Sequence, residues 1–140
     1  MANQTQRPDT ALHNTSHLMQ YHDLIESIVA AMDARDAYTA KHSDRVADMV
    51  LVLATALDLS EDETTLLHMA AHLHDIGKIA VPDSVLRKAG PLTNPEWEEM
   101  RRHPVTGYEI LRKVDDFKEI AVLVRHHHER WDGRGYPDGL

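Results

Sequence analysis

The 140-residue chain contains no cysteine, so neither a disulfide nor a thiolate metal site is available to it. Aromatic residues make up only 5% of it, and a core must therefore be assembled from Leu, Val, Ile, Ala and Met. No apolar run approaches the roughly 18 residues of a membrane span. The first 16 residues are polar and lack the apolar stretch of a secretory signal. These absences predict a cytoplasmic protein without membrane contact, with residues 1–16 as a flexible leader and one domain over 17–140. Positive charge is also short. Fifteen Lys and Arg against 23 Asp and Glu leave a net charge of −8, which excludes the broad basic footprint that holds DNA or RNA. A small phosphorylated ligand held through metal ions stays open.

What is present reads as helices joined by short turns, with no alternating strand pattern of useful length. A first helix is predicted within "SHLMQYHDLIESIVAAMDARD", with Leu18, Ile25, Ile28, Val29 and Met32 on one face. A second runs from about Tyr38 to Leu57, with His42, Val46, Met49, Leu53 and Leu57 forming its apolar stripe. Ser60 and Glu63 form a capping box that opens a third, expected to run to Ile76 and stop at Gly77. A short helical turn follows near Pro82. Asn94-Pro95 reads as N-cap plus first-turn proline, Pro104 restarts the chain, and a last helix covers about Asp116 to Glu129. The count is about six to seven helices.

Eleven histidines are the compositional oddity. His13, His17 and His22 lie in or beside the leader and are expected to be solvated. His68 and His72 have the i,i+4 spacing that can clip a metal. They point away from the Leu67–Ala70–His74 stripe, however, so solvated or supporting roles are expected. His42 and His74 fall on apolar stripes, and an inward imidazole needs a partner, of which a metal ion is one kind. His74 and Asp75 are neighbours that diverge by about 100° on a helix. Both reach one site only if it is wide or at a helix end, as in a two-metal centre with ions about 3.5–4 Å apart and a bridging carboxylate. His127 and His128 diverge likewise, and each is expected to serve a different ion, with His126 an exposed bystander. His103 sits at the junction made by Pro104. Five imidazoles and a carboxylate suit Fe, Mn, Zn or Ni rather than Ca or Mg.

In order and spacing, "YTAKHSDRVADM", "HLHDIGKIAVPDSVL", "LTNPEWEEMRRHPVTGYEIL" and "HHERWDGRGYPDGL" resemble the HD-GYP family. That family is a branch of the HD-domain metal-dependent phosphohydrolases, and the likeness runs from about His22 to Leu140. The resemblance implies an all-α HD-domain helical bundle with a bimetal or trimetal centre. It implies hydrolysis of cyclic di-GMP to linear pGpG, in some members on to GMP, through a metal-bridging hydroxide. Position by position it assigns His42, His74, Asp75, His103, His127 and His128 as metal ligands. Asp75 is the catalytic bridge, and Lys78 the catalytic contact to the scissile phosphate. Arg134 and Tyr136 become further substrate contacts within or beside the signature turn Gly135-Tyr136-Pro137. The family also uses that turn to dock diguanylate cyclase domains.

Two departures matter. Trimetal members carry a glutamate where this chain has Tyr38, so two divalent transition-metal ions are expected rather than three. Members also continue beyond the turn into a helix that supplies another aspartate ligand, which makes the domain here incomplete relative to the full HD-GYP unit. Surface left uncovered in this way predicts a homodimer or higher oligomer. The missing aspartate keeps a second reading in play, a non-catalytic module binding metal, a nucleotide or a protein partner. A third is an HD phosphohydrolase acting on other nucleotides.

Overall fold

The computed structural model describes residues 19–35 and 41–140, and among these every regular element is helical. Helix α1 (His22–Arg35) follows a 3-10 turn at Met19–Tyr21, and α2 (His42–Ala56) precedes α3 (Glu61–Leu73). A second 3-10 turn, Ile76–Ala80, leads to the one-turn α4 (Asp83–Leu86). The chain continues through α5 (Asn94–Met100), α6 (His103–Leu111), a 3-10 turn at Asp115–Phe117, and α7 (Lys118–His126). None of these helices is long and apolar enough to cross a membrane. His13, His17, Leu18, Tyr38 and the proposed leader lie outside the described residues.

Helix α3 is the axis of the bundle, packed against α1, α2 and α7 at once. Ser60 opens it as predicted. The Ser60 hydroxyl accepts from the Glu63 N–H, and the Glu63 carboxylate accepts in turn from the Ser60 N–H at 3.0 Å. The core gathers Ile25 and Val29 of α1, Met69, Ala70 and Leu73 of α3, Ile76, Leu111, and Ile120, Ala121 and Val124 of α7. A side chain such as Ile25, with no exposed surface, contributes about 1.5–3 kcal/mol by leaving water.

Four expectations are corrected. Helix α2 does not bury its Val46–Met49–Leu53–Leu57 stripe, because Met49, Leu53 and Leu57 are exposed. It buries Ser43, Ala47 and Ala54 instead, small residues that let the α2 backbone lie close to α3. Helix α3 ends at Leu73, before Gly77. Gly77 serves close approach, since a Cβ there would occupy the space of the His103 carbonyl. The N-cap of α5 is Thr93, whose box with Glu96 places Asn94 inside the helix. Finally, His72 is buried at 6% exposure rather than solvated.

Arg35, at the end of α1, reaches across to the turn after α3. Its guanidinium donates to the carbonyls of Lys78, Ile79 and Val81 at 3.2, 2.6 and 2.7 Å, and to Asp83. Carbonyls left free by the short 3-10 turn are thereby satisfied, which fixes the segment carrying Lys78.

Candidate metal centre

The ends of four helices meet at one point. His42 begins α2, His74 caps the end of α3 with Asp75 directly after it, His103 begins α6, and His127 caps α7 with His128 next. Their potential ligand atoms fall into two triads, His42/His74/Asp75 and His103/His127/His128, each with its members within 4.8 Å of one another. Asp75 lies between them. Its Oδ2 is 3.3 Å from His74 Nε2, and its Oδ1 is 3.4 Å from His103 Nε2. The triads also touch directly, with the His74 and His127 rings 5.2 Å apart. His127 and His128 are brought to the same triad, their rings 4.1 Å apart, because α7 ends at His126 and the chain turns there.

Backbone carbonyls orient three of the imidazoles. His74 Nδ1 bonds the Ala71 carbonyl at 2.7 Å, His103 Nδ1 that of Met100 at 2.8 Å, and His127 Nδ1 that of Val124 at 2.7 Å. A carbonyl only accepts, so each Nδ1 carries a proton, which leaves the Nε2 lone pair of His103 and His127 for the centre. Burial lowers His74, but the Asp75 carboxylate beside its Nε2 outweighs it and raises that imidazole. The same local device, an imidazole folded back onto the carbonyl three residues earlier, thus prepares three ligands. Burial pushes His103, His127 and His128 each down to about 4, so these rings are neutral near pH 7. Burial opposes ionisation of Asp75. The His74 hydrogen bond and charge, together with the Lys78 ammonium, outweigh it and hold the carboxyl well below the usual carboxylate range. A buried anion beside the neutral imidazoles of His103, His127 and His128 is a donor set fitted to divalent transition metals.

Lys78 Nζ lies 2.7 Å from Asp75 Oδ2, at the margin of the centre. Tyr136 stacks on His128 with ring centroids 4.7 Å apart and planes at 21°. The Arg101 guanidinium lies 5.6 Å from the Tyr136 centroid and 5.9 Å from that of the exposed Trp97. A ladder of flat groups therefore leads from His103 through His128, Tyr136 and Arg101 to the surface. Arg101 and Trp97 escaped sequence reading although both lie in the segment "LTNPEWEEMRRHPVTGYEIL", because the resemblance assigns a role there only to His103. Arg134 stays exposed on the turn, with its N–H bonded to Asp132, and is not brought to the triads.

The turn itself is held from within. Glu129 accepts the N–H groups of Asp138, Gly139 and Leu140 at 2.7, 3.1 and 3.0 Å. Gly135 passes so close to Glu129 and Arg130 that any Cβ would overlap their backbone. Pro137 is half-buried. His126 stays outside both triads as expected but is half-buried rather than exposed, and it bonds Asp138 at 2.9 Å, beside the Arg125 pair to the same carboxylate.

Three further histidines meet elsewhere. His22 of α1 stacks on His68 with centroids 5.8 Å apart, and His72 stands edge-on to both at 5.5 and 4.7 Å. The imidazole of His72 is lowered by burial and by His68 and His22, and its Nδ1 has no hydrogen-bond partner.

Residues 21–140 match the HD domain family. The chain is 44% identical over 120 residues to the cyclic di-GMP phosphodiesterase response regulator RpfG of Xanthomonas campestris, covering 84% of this chain and 32% of that protein. It is 40% identical over 129 residues to 3'3'-cGAMP-specific phosphodiesterase 3 of Vibrio cholerae, covering 89% and 28%. A cyclic di-GMP phosphodiesterase of Thermotoga maritima shares 39% over 120 residues, covering 84% and 33%. The chain spans about a third of the length of these relatives.

Proposed function

Because the chain belongs to the HD-GYP branch of the HD-domain family, we propose that it forms the metal-holding part of a phosphodiesterase that opens cyclic di-GMP to linear pGpG. The observation that carries this reading is Asp75, whose two oxygens face separate histidine triads at 3.3 and 3.4 Å. His42, His74 and Asp75 would hold one divalent ion, and His103, His127 and His128 the other, with Asp75 shared. Two such ions supply an activated water at neutral pH and offset the charge that builds on the phosphoryl oxygens.

The chain's own groups do the rest. Asp75, kept ionised beside Lys78, fixes the interval between the triads. Lys78 sits where a compact point charge can meet a non-bridging phosphate oxygen. Tyr136 and Arg101 offer a flat surface beside the centre, suited to a purine ring, and stacking of this kind is worth about 1–3 kcal/mol per base. Arg134 on the open turn supplies a further cation toward an outer phosphate.

Relatives named for 3'3'-cGAMP make that the alternative cyclic dinucleotide. The test is turnover of both dinucleotides by the protein containing this chain, with its Asp75→Asn variant as control. Cleavage of cyclic di-GMP that Asp75→Asn abolishes is the expected result. Equal rates for wild type and variant would overturn the metal mechanism, and cleavage of 3'3'-cGAMP alone would reassign the substrate.

A further inference from the structure

We propose that His22, His68 and His72 form a second metal site, separate from the two triads, which clips α1 and α2 to α3 by binding a divalent ion of the zinc class. The potential ligand atoms of the three imidazoles all lie within 4.8 Å of one another. His68 and His72 supply the i,i+4 pair that presents two imidazoles on one helix surface, and His22 comes from the neighbouring α1.

Three observations point to a ligand rather than to packing. His72 is 94% buried, yet its Nδ1 has no hydrogen-bond partner, and leaving a buried polar atom orphaned is costly. Asp44 Oδ1 of α2 lies 3.7 Å from that Nδ1, too far for a hydrogen bond but near the separation of two ligands on one tetrahedral ion. With zinc–ligand bonds of about 2.0–2.1 Å, such ligands stand roughly 3.3–3.4 Å apart. The outer partners are also in place. His22 Nδ1 faces Glu26 Oε1 at 3.6 Å, and His68 Nδ1 faces the Ala47 carbonyl at 3.4 Å. The Ala47 carbonyl bonds His68 Nδ1 and so leaves its Nε2 for an ion, the carbonyl–histidine pattern of metal sites, while Glu26 stands beside His22 beyond hydrogen-bond distance. Three converging imidazoles, with Asp44 beside His72, suit Zn(II) or Co(II), and side chains from three helices make the site structural.

The inference does not depend on the phosphodiesterase reading, because none of its ligands belongs to the two triads. The test uses the full chain, stripped with chelator and dialysed against Zn(II), with bound zinc measured by elemental analysis. His22→Gln and His68→Ala should each bind one equivalent less than wild type, and zinc should raise their Tm by less. His22→Gln alters a half-exposed side chain, so it tests the site even if His68→Ala fails to fold. Adding Co(II) to the stripped Asp75→Asn variant should still produce a tetrahedral-type visible absorption that His22→Gln in the same background loses. Equal zinc in wild type and His22→Gln, with equal Tm shifts, would overturn the proposal and leave the three histidines as a packing cluster.

Discussion

The two histidine clusters of this molecule are built from the same side chain on opposite plans. In the candidate metal centre every potential ligand sits at or just beyond a helix end, and three of the imidazoles are locked onto carbonyls of their own preceding turn. A carboxylate stands between the triads, with a lysine beside it. In the His22/His68/His72 cluster two imidazoles come from one helix at i,i+4 spacing and the third opens a neighbouring helix, and the carboxylates beside them, Glu26 and Asp44, are both more than half exposed. Helix ends present divergent neighbours to one point and suit a centre of two ions. Helix flanks present i,i+4 pairs and suit one. In the proposed reading, the buried carboxylate and lysine set among the imidazoles, more than histidine content, separate a centre equipped for chemistry from a clip.

The largest expected effect breaks the comparison at Asp75. Asp75→Asn should lower cyclic dinucleotide turnover by at least on the order of 10²–10³-fold, the loss seen when one preorganised electrostatic group is removed. It should also lower zinc bound by the triads while leaving the His22/His68/His72 equivalent in place. Kinetics and elemental analysis on the same preparation check both halves. Next, Gly77→Ala should destabilise the fold by about 1–3 kcal/mol in urea titration, because the methyl group meets backbone that cannot rotate away. No such cost attaches to His22→Gln.

Lys78→Gln should keep metal content and lower kcat by roughly 10–100-fold, a loss of about 1.4–2.7 kcal/mol of transition-state stabilisation. A variant that lost its metal instead would move Lys78 from substrate contact to support of Asp75. A smaller effect is expected at Arg101→Ala. That change should raise KM several-fold at nearly constant kcat, since Arg101 touches Tyr136 and Trp97 but neither triad. The smallest effect concerns the turn in acid. Arg125 and His126 hold the Asp138 carboxyl down to about 2. A depressed folded-state value means that its contribution is complete above the ordinary carboxylate value near 3.8 and is lost as pH falls through about 2. Amide exchange in residues 133–140, followed down from neutral pH, should therefore stay slow until that range.

How far the sequence could be read follows from the same geometry. The triads were legible because their ligands ride on motifs: His-Asp, a histidine before proline, and paired histidines before a glycine-rich turn. The capping box at Ser60 was legible because it is purely local. The buried side of α2 was not, since reading by large apolar residues favours Met49 and Leu53, whereas close helix contact here selects Ser43, Ala47 and Ala54. Burial of His72 was missed for a related reason. Met69 to Leu73 are all buried, because α3 has neighbours on three sides, and a one-face reading has no meaning for a helix surrounded in that way. His22 joined the cluster only through the packing of α1, which no local pattern records.

Gly77 carries a consequence for which ions the centre can use. It lets the turn after Asp75 rest directly on the backbone at His103, and these two segments supply the shared carboxylate and the first ligand of the second triad. Contact between main chains is nearly incompressible, whereas side-chain packing yields by rotamer change. The interval between Asp75 and His103 is thus gauged like the gap of a fixed calliper. Under the proposed two-ion reading, the absence of one methyl group would act on which pair of cations fits rather than on single metals.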